Sequence, residues 1–162
     1  MLRHQSEIAV PEAAIRAAMG WAHWPARLQR LAPGSLIGTR EVWLDGGHNQ
    51  ACAEAIAAHF RKTLKVGQSL HLITGILAGK DALGVIGAFK GLAMRLTALP
   101  VRDHPCHPPE ALAEIGAKCG MAADVAADIA AALPASTADV ILILGSLYLA
   151  GEVLKANGQV PD

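Results

Sequence analysis

The chain has 162 residues, 52% of them hydrophobic and 17% charged, and fourteen Lys+Arg balance fourteen Asp+Glu to a formal net charge of zero. That length suits one domain with a core of its own, and the composition excludes a disordered chain. A neutral balance argues against a nucleic-acid partner, which calls for a basic face; the longest uncharged runs, 66–79 and 140–151, are shorter than the roughly 20 residues of a membrane-spanning helix.

Pro11 to Met19 is predicted as a short helix stopped by Gly20, and Leu28 to Ile37 as extended chain broken by the turn pair Pro33-Gly34. Residues 1–23 are read as a lead-in and 24–162 as the main unit. Regular alternation begins at Glu41-Val-Trp-Leu44, a strand ending at Asp45. Gly46-Gly47 turns the chain, and Asn49 caps a helix from Gln50 to about Leu64 whose apolar stripe is Cys52, Ala55, Ile56, His59 and Phe60. Leu70 to Gly75 is a second strand. Asp81 caps a helix towards Lys90, and Ala93 to Leu99 is a third strand. After the proline-rich loop 100–109, Glu110–Cys119 and Asp124–Leu133 are both predicted as helices, the latter because alanine favours helix. Asp139-Val-Ile-Leu-Ile-Leu144 has the pattern of a central strand buried on both faces. Gly145-Ser146 leads into a last helix, Leu147 to Ala156, ended by Asn157-Gly158. The fold class expected is α/β: a Rossmann-like, open, mostly parallel sheet with helices on both faces. Its ligand site should lie beyond the carboxyl ends of the strands, at 45–49, 77–81 and 145–146.

Each of these segments carries a bland reading beside a functional one. In Leu44-Asp-Gly-Gly-His-Asn49 the glycines and Asn49 suffice for a turn and a helix cap. Asp45 and His48 are left over, and a carboxylate there suits sugar hydroxyls or a cation rather than phosphate. In Trp24-Pro-Ala-Arg-Leu-Gln29 the Arg27 fork suits a phosphate, or packs on Trp24. Gly75 to Lys80 resembles a phosphate loop only superficially, with three residues between its glycines where GxxxxGK[ST] has four and with Asp81 where Ser/Thr is required; Asp81 is read as a cap and Lys80 as ligand-facing. Ser146 is by default a helix cap and no nucleophile. Three cysteines, Cys52, Cys106 and Cys119, fit neither disulfide nor zinc spacing, and His104-Pro-Cys-His107 does not match a zinc site, so no metal is expected there. With no apolar core in the first fourteen residues to make a secretory signal, a reducing cytoplasm is the expected location.

Taken in order, Trp24-Pro-Ala-Arg-Leu-Gln29, Leu44-Asp-Gly-Gly-His-Asn49, Gly75-Ile-Leu-Ala-Gly-Lys-Asp81 and Gly145-Ser-Leu-Tyr-Leu-Ala-Gly-Glu-Val153 resemble the C-terminal domain of folylpolyglutamate synthase/dihydrofolate synthase, of the Mur ligase superfamily. The resemblance covers residues 5 to 156. It departs at Ala26 and Gly47, where the family has Gly and Ala, and at Gln50, where it has Pro.

The resemblance implies an ATP-dependent ligase that joins L-glutamate to dihydropteroate or folate through an acyl phosphate. It implies that Arg27 contacts ATP phosphates, that Asp45 contacts the nucleotide at its ribose, and that His48 and Ser146 lie near the glutamate or the reacting phosphate. Asn49 and Lys80 are further ligand-contacting candidates. ATP and Mg2+ are the implied cofactors, with metal ligands and the phosphate loop expected from an N-terminal domain that is not in this chain. The chain alone is therefore expected to be inactive, and the alternative is a stand-alone nucleotide-binding module. An NAD-binding domain is excluded because no G-x-G-x-x-G follows the first strand.

Overall fold

The most apolar runs of the chain become strands, and the alternation within each run decides which helix layer it meets. In the computed structural model, which describes residues 10–21 and 24–159, the strands are β1 (Gln29–Arg30), β2 (Glu41–Asp45), β3 (Leu70–Thr74), β4 (Ala93–Ala98), β5 (Ala122–Val125) and β6 (Val140–Leu144). They form one sheet in the order β1-β2-β6-β3-β4-β5. Every pairing is parallel except that of β1 with β2. The helices are α1 (Glu12–Trp21), α2 (Gln50–Thr63), α3 (Ala82–Gly87), α4 (Pro109–Lys118), α5 (Ile129–Ala132) and α6 (Leu147–Ala156). This is the expected open α/β sheet.

β6 shows why. All five of its residues are buried. Val140, Leu142 and Leu144 pack with Ile56 and Phe60 of α2, Val85 and Ile86 of α3 and Leu112 of α4. Ile141 and Ile143 point the other way, to Ile129 of α5 and Leu149, Val153 and Leu154 of α6. Each such side chain contributes about 1.5–3 kcal/mol of burial, which a polar-faced strand would forfeit on one side. Three helices therefore cover one face and two the other.

Four expectations shift. α1 runs through Gly20 to Trp21, since one glycine is tolerated inside a helical run; residues 1–9, 22 and 23 of the expected lead-in lie outside the described residues. The extended stretch at 28–37 reduces to the two residues of β1, followed by a turn in which Gly34 bridges Gly38. Asn157 sews that turn to the end of α6, accepting from the Leu36 and Ile37 amides and donating to the Ala32 carbonyl. On α2 the buried face is Ala53, Ile56, Ala57 and Phe60; Ala55 is exposed, because the small alanines at 53 and 57 let the helix approach the sheet on that side. The expected helix at 124–133 is a strand and a short helix instead. β5 pairs with the edge of β4, and Asp128 caps α5 through the Ala131 amide. Pairing and capping override the helical preference of alanine.

A buried polar relay crosses the β3, β4 and β5 strands. The Thr97 hydroxyl donates to Asp124, so its oxygen accepts from His71 Nε2–H, and His71 Nδ1 accepts from the Ser136 hydroxyl, both His71 bonds being 2.8 Å. A neutral imidazole with its proton on Nε2 completes this chain. Burial, with the Arg95 charge adding to it, pushes the His71 pKa from 6.5 down to about 4. Burial pushes Asp124 the opposite way, but hydrogen bonds from Thr97 and Arg95 and the Arg95 charge outweigh it and hold the carboxyl below its usual range.

The unfolded chain therefore takes up a proton at His71 before the native one does, and stability falls as pH falls from about 6.5 to about 4. The loss should reach at most about 3 kcal/mol, with Asp124 adding to it at lower pH. Urea unfolding at pH 7 and pH 5 measures the slope, and His71→Gln should flatten it.

Candidate functional site

Register brings the ends of three parallel strands together: Asp45 of β2 and Thr74 of β3 both stand level with Leu144 of β6. The loops that follow, 46–49, 75–81 and 145–146, emerge side by side at the carboxyl edge of the sheet. Close approach is built into them. A Cβ at Gly145, whose φ is +123°, would lie 2.7 Å from the Gly75 carbonyl oxygen, and one at Gly46 would overlap the Leu147 side chain.

Asp45 faces the protein rather than the cavity. Only 4% of the residue is exposed. One carboxylate oxygen accepts from the Leu28 amide and the other from the Gly47 amide, both at 2.6 Å. Both carboxylate oxygens are taken by the backbone because the last residue of β2 points inward under the loop 24–28. That loop is held a second time where the Gly46 amide donates to the Ala26 carbonyl at 2.9 Å. To meet both bonds the chain turns through the left-handed region at Ala26 (φ +54°) and Leu28 (φ +43°), at a cost of about 1–2 kcal/mol for a residue with a Cβ. The glycine of the family motif at position 26 thus has a physical reason, and Ala26 here is strained.

Between these two residues Arg27 projects to solvent. Its Nη1 donates to the Ala26 carbonyl at 3.2 Å, and among the described residues it makes no ion pair. Trp24 stands 73% exposed. Cys52 fills the space that a methyl at position 47 would take: a Cβ on Gly47 would fall on the Cys52 Sγ and 2.9 Å from Asp45 Oδ1. Burial and the neighbouring Asp45 carboxylate raise the Cys52 thiol pKa, while Arg27 pulls it the other way, so this is a packing thiol.

His48, Leu77, Lys80, Gly145, Ser146, Leu147 and Tyr148 line a cavity of about 310 Å³. His48 Nδ1 lies 3.2 Å from the Gly46 carbonyl; that bond needs the proton on Nδ1 and leaves Nε2 with a free lone pair. Ser146 caps α6 by accepting from the Tyr148 amide, so its hydroxyl proton stays free to donate. Asn49 caps α2 by accepting from the Cys52 amide at 2.9 Å, which commits its oxygen. Asp81 caps α3 through the Gly84 amide. The structure thus brings His48, Lys80 and Ser146 into one cavity, with Arg27 and Asn49 on the same edge and Asp45 beneath it. Sequence reasoning placed Leu77 at the site but missed the apolar lining residues Leu147 and Tyr148. Tyr148, the second residue of α6 after its cap Ser146, is 52% exposed, an aromatic ring in a first turn where polar side chains are the norm.

No family profile matches the chain. In a match 150 positions long that covers 86% of this chain, it is 33% identical to the folylpolyglutamate synthase of Lacticaseibacillus casei, covering 31% of that protein. The Mycobacterium tuberculosis folylpolyglutamate synthase complexed with ADP and AMPPCP shares the fold, with a TM-score of 0.77 and 22% identity over 94% of this chain and 36% of that one. So does a bifunctional folylpolyglutamate synthase/dihydrofolate synthase with Mn, AMPPNP and L-glutamate bound, with a TM-score of 0.77 and 21% identity over 95% of this chain and 36% of that one. The chain spans about a third of the length of these relatives. In sequence and in fold the chain matches the C-terminal domain of folylpolyglutamate synthase.

Proposed function

We propose that this chain is the nucleotide- and glutamate-contacting part of an ATP-dependent ligase that adds L-glutamate to dihydropteroate or folate. The observation that carries the reading is an exposed guanidinium, Arg27, on the same sheet edge as a cavity whose polar groups are His48, Lys80 and Ser146. Relatives solved with ADP, AMPPCP, AMPPNP and L-glutamate share the fold and support it. Residues 24–162 would form the domain proper and 1–23 the linker to an N-terminal partner. Three free thiols suit a reducing cytoplasm.

The γ-phosphate of ATP activates a substrate carboxylate as an acyl phosphate; the amine of glutamate attacks that carbonyl, the C–N bond forms, and phosphate leaves with the C–O electrons. Arg27 would grip phosphate oxygens with two parallel N–H bonds. The N-termini of α2 and α6 face the same edge, each adding the partial positive charge of its unpaired amides. His48, with Nδ1–H held by the Gly46 carbonyl, would present Nε2 to take the amine proton. The Ser146 hydroxyl and the Lys80 ammonium would donate to the reacting phosphate or to the amino-acid carboxylate. Among the described residues no three His, Cys, Asp or Glu are grouped to hold a metal ion, so the magnesium of this chemistry has no ligand set in them.

The sequence contains no GxxxxGK[ST] loop, and a stand-alone nucleotide-binding module remains the second reading. Both readings give an open half-cleft in which solvent weakens every charge contact. Calorimetry should find MgATP bound on the order of millimolar, about 4 kcal/mol. Micromolar binding would contradict the half-site. Arg27→Ala should weaken that binding about tenfold or more, the size of a lost charge-assisted bond, with thermal unfolding unchanged because the side chain is exposed. Asp45→Asn should act differently. It turns one acceptor into a donor facing an amide, and should cost about 2–4 kcal/mol of stability. If Asp45→Asn kept full stability and lost only nucleotide binding, the carboxylate would be a direct ligand contact after all.

A further inference from the structure

The His104-Pro-Cys-His107 segment holds no metal-site spacing and has no part in the chemistry above, yet the structure spends it on both walls of the cavity. Cys106 bridges Leu77 in antiparallel fashion. The Ala78 amide donates to the Pro105 carbonyl at 3.1 Å and the His107 amide to the Ile76 carbonyl at 2.9 Å. His107 Nε2 lies 2.9 Å from the Lys80 carbonyl, an acceptor that obliges this nitrogen to carry the proton. On the opposite wall the His104 ring stacks on Tyr148, with centroids 3.6 Å apart and planes at 25°. Cys106 Sγ accepts from the Val101 amide, which closes the segment on itself. One short loop therefore grips the Leu77–Lys80 side and the Tyr148 side together.

We propose that His104 and His107 are positioning residues that set the width of the Lys80–Tyr148 cavity and so its affinity for a phosphate-bearing ligand. The proposal rests on the reading that this cavity receives the phosphate end of ATP. His107 fixes the Lys80 backbone and thereby where the ammonium starts from; His104 fixes the plane of the Tyr148 ring. Neither imidazole touches the ligand.

Tyr148 is the single tyrosine of the chain, so 3-fluorotyrosine incorporation gives one 19F resonance, seated in the cavity wall. MgATP is titrated against that resonance in the wild-type chain and in His107→Leu, His107→Gln and His104→Ala, with thermal unfolding recorded for each. The wild-type resonance should move with MgATP. His107→Leu, which removes the donor, should raise the MgATP dissociation constant about fivefold, the effect of one neutral hydrogen bond; His107→Gln, which keeps an N–H of similar reach, should stay within about twofold. His104→Ala should shift the free resonance and weaken MgATP as well, and it carries the test if His107→Leu does not fold. A wild-type resonance that ignores MgATP overturns the ligand reading, and the proposal with it. A wild-type response together with unchanged affinity in His107→Leu, or equal losses in the Leu and Gln variants, overturns the positioning role alone.

Discussion

The carboxyl edge of this domain is organised around one buried anion. A carboxylate taken out of water is tolerated only when its oxygens are matched by donors, and Asp45 meets that demand with two backbone amides from different loops, Leu28 and Gly47. Much else follows. The loop 24–28 must pass directly over the end of β2, which drives Ala26 and Leu28 to positive φ. The turn after β2 must lie flat against the loop and against α6, which leaves no room for a side chain at 46 and sets Cys52 in the place of one at 47. Arg27, between the two left-handed residues, has only the outward direction left. The aspartate thus holds both the backbone beside Arg27 and the turn after β2.

Strand order supplies the crevice. From β2 the chain crosses by α2 to β3, then by α3 to β4 and α4 to β5, always over the same face. It returns under the opposite face through α5 to insert β6 between β2 and β3, and leaves over that second face as α6. Neighbouring loops therefore part at the end of β6, two towards one face and one towards the other. Ligands in open α/β sheets gather where adjacent loops diverge in this way. The His48, Lys80 and Ser146 cavity lies there because of that topology.

The strands were legible where burial on both faces wrote a continuous apolar run, as in Val140–Leu144, and the caps were legible where Asn49, Asp81 and Ser146 preceded helices. β5 was not. Ala122–Val125 is half exposed at the sheet edge, so it carries no alternation, and its alanines favour helix in the absence of a neighbour; Asp128, three residues beyond and followed by an apolar run, was the readable sign that a helix starts later. At the site, the loops could be placed from the strand-end rule, but the inward turn of Asp45 could not, because it depends on a loop seventeen positions upstream passing over it. The bracing by His104 and His107 was illegible for the same reason. Their partners, Tyr148 and Lys80, are far off in sequence, and a proline-rich run of His and Cys invites only the question of metal.

Net charge zero is compatible with the proposed anion-binding edge because a few converging groups, rather than a basic face, would make the field there. A polyanion such as nucleic acid demands many cations spread over a face, and the balanced composition argues against one. A single triphosphate demands a few donors converging on a short span. In the proposed site these would be one guanidinium, one ammonium and two helix N-termini, each terminus worth about half a charge, and the helix termini leave no trace in a count of ionisable residues. The one carboxylate at the edge, which in an open cleft would repel phosphate, is buried 4% exposed under two amides, so its charge is spent on the backbone that presents Arg27. Local placement of partial charges, rather than composition, decides the sign of the site.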